Sequence, residues 1–106
     1  MGIDPKIIDE IVRRVTGVVR AERIILFGSA ATGHMTADSD IDLLILENNP
    51  GDRRKETVRV HDALRGLGYP FDVIVIDTDW FEASKNVIGG IAYPASKYGK
   101  VIYEAA

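Results

Sequence analysis

The run Asp40-Ile41-Asp42-Leu43-Leu44-Ile45-Leu46 constrains the fold more than any other stretch of the chain, because after Asp42 it is apolar without alternation. A strand with one wet face alternates apolar and polar side chains, whereas a run of this kind is covered on both faces. It is therefore expected to be an interior strand, from about Asp40 to Leu46, in a sheet with helices on either side. Two further runs have strand character: Arg23-Ile24-Ile25-Leu26-Phe27, which stops at Gly28-Ser29, and Phe71-Asp72-Val73-Ile74-Val75-Ile76. A fourth short strand is expected at Val101-Ile102-Tyr103.

Helical periodicity occupies the intervals. Asp4 as a cap and Pro5 in the first turn start a helix whose stripe runs Ile7, Ile8, Ile11, Val12, Val15, Val18, Val19. Gly17 weakens it by about 1 kcal/mol relative to Ala, and the stripe predicts continuation past that residue. Ala30 and Ala31 suit a short helix closing at Gly33, followed by a polar loop from His34 to Asp38. The turn Asn49-Pro50-Gly51-Asp52 leads into a helix with Val60, Ala63, Leu64 and Leu67 on one stripe, stopped by Gly66 or Gly68. Thr78 or Asp79 is expected to cap a helix carrying Trp80 and Phe81, and Gly89, Gly90 and Pro94 predict a kinked or broken helix between 87 and 99. Helices alternating with strands imply an α/β (α+β) architecture: one domain over residues 1–106, with a small mixed sheet of about four strands flanked by helices.

Composition narrows the function classes. With 106 residues and 46% apolar content the chain can build one core. Its 13 Lys and Arg against 16 Asp and Glu give a formal charge of -3, which argues against a general electrostatic grip on nucleic acid but leaves a small anion such as a nucleotide open. The absence of cysteine removes disulfides, thiolate nucleophiles and sulfur-ligated zinc. The start Met1-Gly2-Ile3-Asp4-Pro5-Lys6 does not read as a signal peptide, and no apolar segment approaches the roughly 20 residues of a membrane span. A soluble cytoplasmic protein is the expectation.

Asp40 and Asp42 share one face of the predicted strand, and Asp72 opens another apolar run. If the two strands are neighbours, three carboxylates meet. Like charges that close repel unless a cation compensates them, and Mg²⁺ takes oxygen ligands from one or two carboxylates plus substrate phosphates. Two ions roughly 3.5 to 4 Å apart lower the pKa of an attacking oxygen and stabilise departing pyrophosphate. Gly28 permits close backbone approach, Ser29 adds a hydroxyl, and the following helix start offers N–H groups to phosphate, so metals and cradle together would orient a nucleoside triphosphate.

Two competing motifs fail. Gly28 and Gly33 have the P-loop spacing, but His34 and Met35 stand where Lys and Ser or Thr are needed. Asp38, Asp40 and Asp42 match positions 1, 3 and 5 of a calcium loop, yet Leu43 replaces its Gly and Asn49 its Glu.

The string Phe27-Gly28-Ser29-Ala30-Ala31-Thr32-Gly33, followed after five residues by Ser39-Asp40-Ile41-Asp42-Leu43, resembles the signature of the DNA polymerase beta-like nucleotidyltransferase superfamily, whose third Asp is matched by Asp72. The short chain and the ending Tyr98-Gly99-Lys100-Val101-Ile102-Tyr103-Glu104 resemble its minimal nucleotidyltransferase (MNT) family across essentially the whole length. The resemblance implies a palm-like fold in which Asp40, Asp42 and Asp72 are the catalytic residues and ligate Mg²⁺, Gly28 and Ser29 bind the nucleotide, and Asp72 assists deprotonation of the acceptor. It further implies transfer of a nucleoside monophosphate, AMP from ATP, to a hydroxyl on a small helical HEPN-type toxin, with this chain as antitoxin; a homo-oligomer is the other assembly. The alternative is a non-catalytic, nucleotide-binding antitoxin or complex subunit that masks its partner. Thr32 departs from the pattern, standing where many members carry Arg.

Other residues read more plainly. His34 and His61 lack a partner at metal-ligand spacing, Arg53, Arg54 and Lys55 read as a solvated helix start, and Trp80, Phe81, Tyr93 and Tyr98 are candidates for core or interface.

Overall fold

A computed structural model describes residues 3–33, 36 and 39–106. The chain runs α1 (Pro5–Thr16), β1 (Arg23–Phe27), α2 (Ser29–Thr32), β2 (Ile41–Glu47), α3 (Arg53–Leu64), β3 (Phe71–Asp77), α4 (Thr78–Ser84), α5 (Ala92–Tyr98) and β4 (Lys100–Glu104). The four strands form one sheet in the order β3-β2-β1-β4. β1 is antiparallel to both β2 and β4, while β2 and β3 are parallel and joined by α3, the crossover that parallel neighbours require. The mixed, helix-flanked sheet expected from the sequence is the one observed.

The unalternating strand is interior and covered on both faces. Leu43, Leu44, Ile45 and Leu46 have no exposed surface. On one face Ile41, Leu43 and Ile45 join Ile24, Leu26, Val73 and Val75 under Ile11 and Val15 of α1 and Val60 and Leu64 of α3. On the other, Leu44 and Leu46 join Ile25 and Ile76 under Phe81 of α4 and Ala92 and Ala95 of α5. At about 25 cal/mol per Å² of apolar surface removed from water, this two-sided burial is the principal stabilising term.

Local signals set the ends of the helices. Asp4 accepts a hydrogen bond from the Lys6 N–H at 2.9 Å, and Asp52 accepts from Arg54 and Lys55 at 3.1 and 3.2 Å, so both act as side-chain caps. α1 ends at Thr16 instead of continuing past Gly17. Gly17 caps it, its N–H returning to the Arg13 and Val15 carbonyls. Val19 is nevertheless buried from outside the helix, so the apolar stripe marked core without marking helix length. α4 is capped at Asp77, one residue before Thr78 and two before Asp79, the expected caps. The 87–99 stretch yields a single helix, α5, with Pro94 in its first turn where a missing N–H costs nothing. His34, Met35 and Asp38, from the expected polar loop, lie outside the described residues.

Two arginines tie the layers together. Arg14 donates from Nη1 to the carbonyls of Ala63 and Arg65 at 3.2 and 3.0 Å, satisfying the end of α3 from α1. Arg23 donates to Glu82 at 2.9 Å and lies over the Phe81 ring, linking β1 to α4; partly exposed, the ion pair is worth about 0 to 1 kcal/mol.

Glu47 ends β2 on the α1/α3 face and is the buried charged residue of the described core, 4% exposed, with Oε2 lacking a hydrogen-bond partner. Burial, then a hydrogen bond and charge repulsion from Glu56, push its pKa up to about 7, with Arg59 opposing. In the unfolded chain a glutamate titrates near 4.3. Because the folded value is the higher, the folded state holds the extra proton between these values, and stability declines as pH rises through that window. Glu47→Gln, which cannot ionise, is expected to raise Tm relative to the native protein more at pH 8 than at pH 4; equal differences at both values, by thermal melts, would contradict this account.

Candidate active site

The sheet register assembles the site. In the parallel pairing of β2 with β3, Asp42 stands directly opposite Asp72, and in the antiparallel pairing of β1 with β2, Phe27 stands opposite Asp42. β1 then ends and Gly28 begins the turn into α2. The Gly28-Ser29 turn, Asp42 and Asp72 therefore occupy the ends of three successive strands along one edge of the sheet.

Asp42 shares its face with Leu44 and Leu46, the face covered further along by α4 and α5. Phe27 and Ile74 pack against that cluster but stay partly buried, forming an apolar floor beside the carboxylates. Asp42 is half-buried and Asp72 exposed. Burial raises the pKa of Asp42, and the charges of Asp72 and then Asp40 raise it further. Asp40 lies one residue before β2, not within it as expected, and is exposed. The strand starts only at Ile41, whose N–H bonds the Pro70 carbonyl at 2.9 Å.

Gly28 is required by geometry. At φ 68° and ψ -151° it occupies a region essentially reserved for glycine. A Cβ at this position would collide with Oδ2 of Asp42. The tight turn and the carboxylate thus fit against each other, leaving a cradle that only a side-chain-free residue permits. α2 runs from Ser29 to Thr32 and closes at Gly33 in the left-handed conformation, with Ala30 buried toward the α1/α3 face. Ser29 is half-buried at the head of this helix, beside the acidic edge.

Among the described residues, no three His, Asp or Glu side chains converge closely enough to hold an ion unaided. The donor set still fits magnesium, which commonly takes one or two carboxylates and completes its shell with phosphate oxygens and water. Asp42 and Asp72 would be that pair, and the repulsion that adds to burial in raising Asp42 is what a cation would relieve. Clefts of 460, 490 and 500 Å³ lie away from the acidic edge, around Asn49 and Trp80, around His61 and Tyr69, and around Thr16 and Glu47. The acidic edge is the candidate site because charge, backbone strain and strand ends coincide there.

The remaining candidates separate. Phe81 is core at 1% exposed, while Trp80 and Tyr98 are 48% and 59% exposed and Tyr93 lies between. His61, Arg53, Arg54 and Lys55 are exposed on α3, as expected of a solvated face. His34 lies outside the described residues. Sequence reasoning missed Phe27 and Ile74 as the site's floor; both flank motif residues, and only the pairing register shows that they share a face with Asp42 and Asp72. No helix of the described residues is long and apolar enough to cross a membrane.

Comparison with known proteins agrees with this fold. The fold is similar to that of a Sulfolobus solfataricus protein assigned as a nucleotidyltransferase, with 25% identity, a TM-score of 0.61, and coverage of 93% of this chain and 78% of the other. It is also similar to a chain of a toxin-antitoxin crystallised with AMP-PNP, at 17% identity, TM-score 0.62 and coverage of 92% and 73%. A chain of the toxin-antitoxin MntA-HpeT, in a mutant with two Asp-to-Glu changes, matches at 15% identity, TM-score 0.65 and the same coverages. No curated protein matches the sequence. The profile of the nucleotidyltransferase domain matches residues 5–93, most of the chain, and with the paired Gly-Ser and Asp-x-Asp motifs on one sheet edge the protein belongs to the nucleotidyltransferase domain family, consistent with its MNT-like sequence.

Proposed function

We propose that this chain is a Mg²⁺-dependent nucleotidyltransferase that moves AMP from ATP onto a hydroxyl of a helical HEPN-type partner protein and so acts as its antitoxin. The observation that carries the reading is the in-register pair Asp42 and Asp72 beside the glycine cradle at Gly28. Likeness of fold to two toxin-antitoxin chains, one crystallised with AMP-PNP, supports the partner and the nucleotide class.

In this reading Asp40, Asp42 and Asp72 would hold magnesium, as two ions, which would supply neutralisation of the phosphates and a lowered pKa of the attacking oxygen. The chain's own groups do the rest. The Gly28 turn and the Ser29 hydroxyl orient the triphosphate, and the floor of Phe27 and Ile74 limits water on one side. The acceptor oxygen forms a bond to the α-phosphorus while the α–β bridging bond breaks. Pyrophosphate departs, and the acceptor's proton passes to the Asp72 carboxylate. Among the described residues Gly28, Asp40 and Asp72 are exposed, so an acceptor as large as a protein can reach them.

Labelling with α-³²P-ATP and Mg²⁺ tests the reading. The helical partner should acquire label, and Asp42→Asn or Asp72→Asn should cut the rate by about three orders of magnitude, the several kcal/mol of metal-borne charge stabilisation expressed as rate. An unlabelled partner would exclude the activity. If the double variant Asp40→Ala with Asp42→Ala still neutralises the partner fully, masking is the function instead.

Gly28→Ala provides a second test. The substitution should lower stability by about 1 to 3 kcal/mol for the glycine-only backbone and abolish nucleotide binding as the new methyl displaces Asp42. Unchanged melting and binding would show that the cradle does not operate.

A further inference from the structure

We infer that Lys97 and Tyr98, in the last turn of α5, form the flank of the nucleotide site on the side of the cradle away from the aspartates, Lys97 meeting the phosphates and Tyr98 the base. This rests on the nucleotidyltransferase reading above. Strand order supplies the placement. β1 lies between β2 and β4, so the Gly28-Ser29 turn emerges between the start of β2 and the start of β4. Leu26 pairs with Leu43 on one side and Lys100 on the other. The edge therefore reads Asp72, Asp42, Gly28, then the junction of α5 with β4. Two strand spacings, about 10 Å, separate β2 from β4, a distance that an extended nucleoside triphosphate spans.

α5 stands on the correct face. Its Ala92 and Ala95 pack with Ile25, Leu44 and Leu46, the side chains that share a face with Asp42. At Gly99 the chain meets the sheet so closely that a Cβ would collide with Cγ2 of Ile25 and with the Ala95 carbonyl. Ile25 is one same-face step from Phe27, the partner of Asp42. The end of α5 is thereby pinned beside the cradle.

Charge supplies the chemistry. Between Glu82 and Glu104 the chain carries Lys85, Lys97 and Lys100 and no acid, in a protein of net charge -3. Lys85 is paired with Glu82 at 2.7 Å. Lys97 has no carboxylate partner among the described residues. Its Nζ lies 3.2 Å from the Tyr93 hydroxyl and 5.6 Å from the ring centroids of both Tyr93 and Tyr98. Held by rings and a neutral hydroxyl, the ammonium keeps its charge uncompensated, and a triphosphate set against three aspartates needs such a cation. Tyr98, 59% exposed, presents a ring on which any nucleobase can stack.

Equilibrium binding of α,β-methylene-ATP with Mg²⁺ to the full chain tests this, with folding of each variant checked by circular dichroism. Lys97→Met should weaken binding by about tenfold, the effect of one hydrogen bond to a charged group, and flatten its salt dependence. Lys97→Arg should bind with near-native affinity, and Tyr98→Ala should bind more weakly than Tyr98→Phe. Native affinity in folded Lys97→Met, with Asp42→Asn defective in the same assay, overturns the inference and leaves the nucleotidyltransferase reading standing. A folded native chain that binds no nucleotide overturns both.

Discussion

The in-register parallel pairing of β2 with β3 is the constraint on which the rest depends. It sets Asp42 opposite Asp72, and by seating β2 between β1 and β3 it obliges helices to cover both faces of the strand. α3 is the crossover that this parallel pairing requires, and α4 follows directly where β3 ends. A slip of one residue would turn Asp42 and Asp72 to opposite faces and bring Leu43 to the site, so the hydrophobic pattern that fixes register also fixes the chemistry.

The same arrangement divides the molecule's electrostatics. Carboxylates gather at one end of β2, where burial and mutual repulsion leave Asp42 reluctant to ionise without a cation. At the other end burial and Glu56 outweigh the opposing charge of Arg59, and the raised pKa of Glu47 is a cost borne by stability. The two ends of one strand thus carry acidic groups in different settings: at the edge Asp40 and Asp72 are exposed and Asp42 is half-buried, while under α1 and α3 Glu47 is enclosed and burial favours its protonated form.

Much of this was legible in the chain. The unalternating run at 43–46 called for two helical layers, the β-branched runs located the strands to within a residue or two, and Asp4 announced a helix start by its chemistry, as the turn at 49–52 did by its composition. Gly28 was readable as a close-approach position, although the group approached, the carboxylate of Asp42, was not. Misreadings came where pattern and backbone disagree. Val19 continues the apolar stripe of α1 and is buried, yet Gly17 has already ended the helix, because burial is a property of the tertiary surface and helix length one of local hydrogen bonding.

Residue type and spacing already marked the candidates for chemistry: Asp40 just before a strand, Asp42 and Asp72 near the starts of two, a Gly-Ser turn after another, and no cysteine or P-loop lysine to compete. Such signals are local, lying within one strand or turn. Tertiary structure alone decided which of them meet. Asp42 and Asp72, thirty residues apart, are neighbours only through register; Phe27 and Ile74 become a floor only through face; and the end of α5 lies beside the Gly28 turn only because β4 pairs with β1. Pairing of strands distant in sequence follows from the sum of core packing on both faces, and no local motif encodes it.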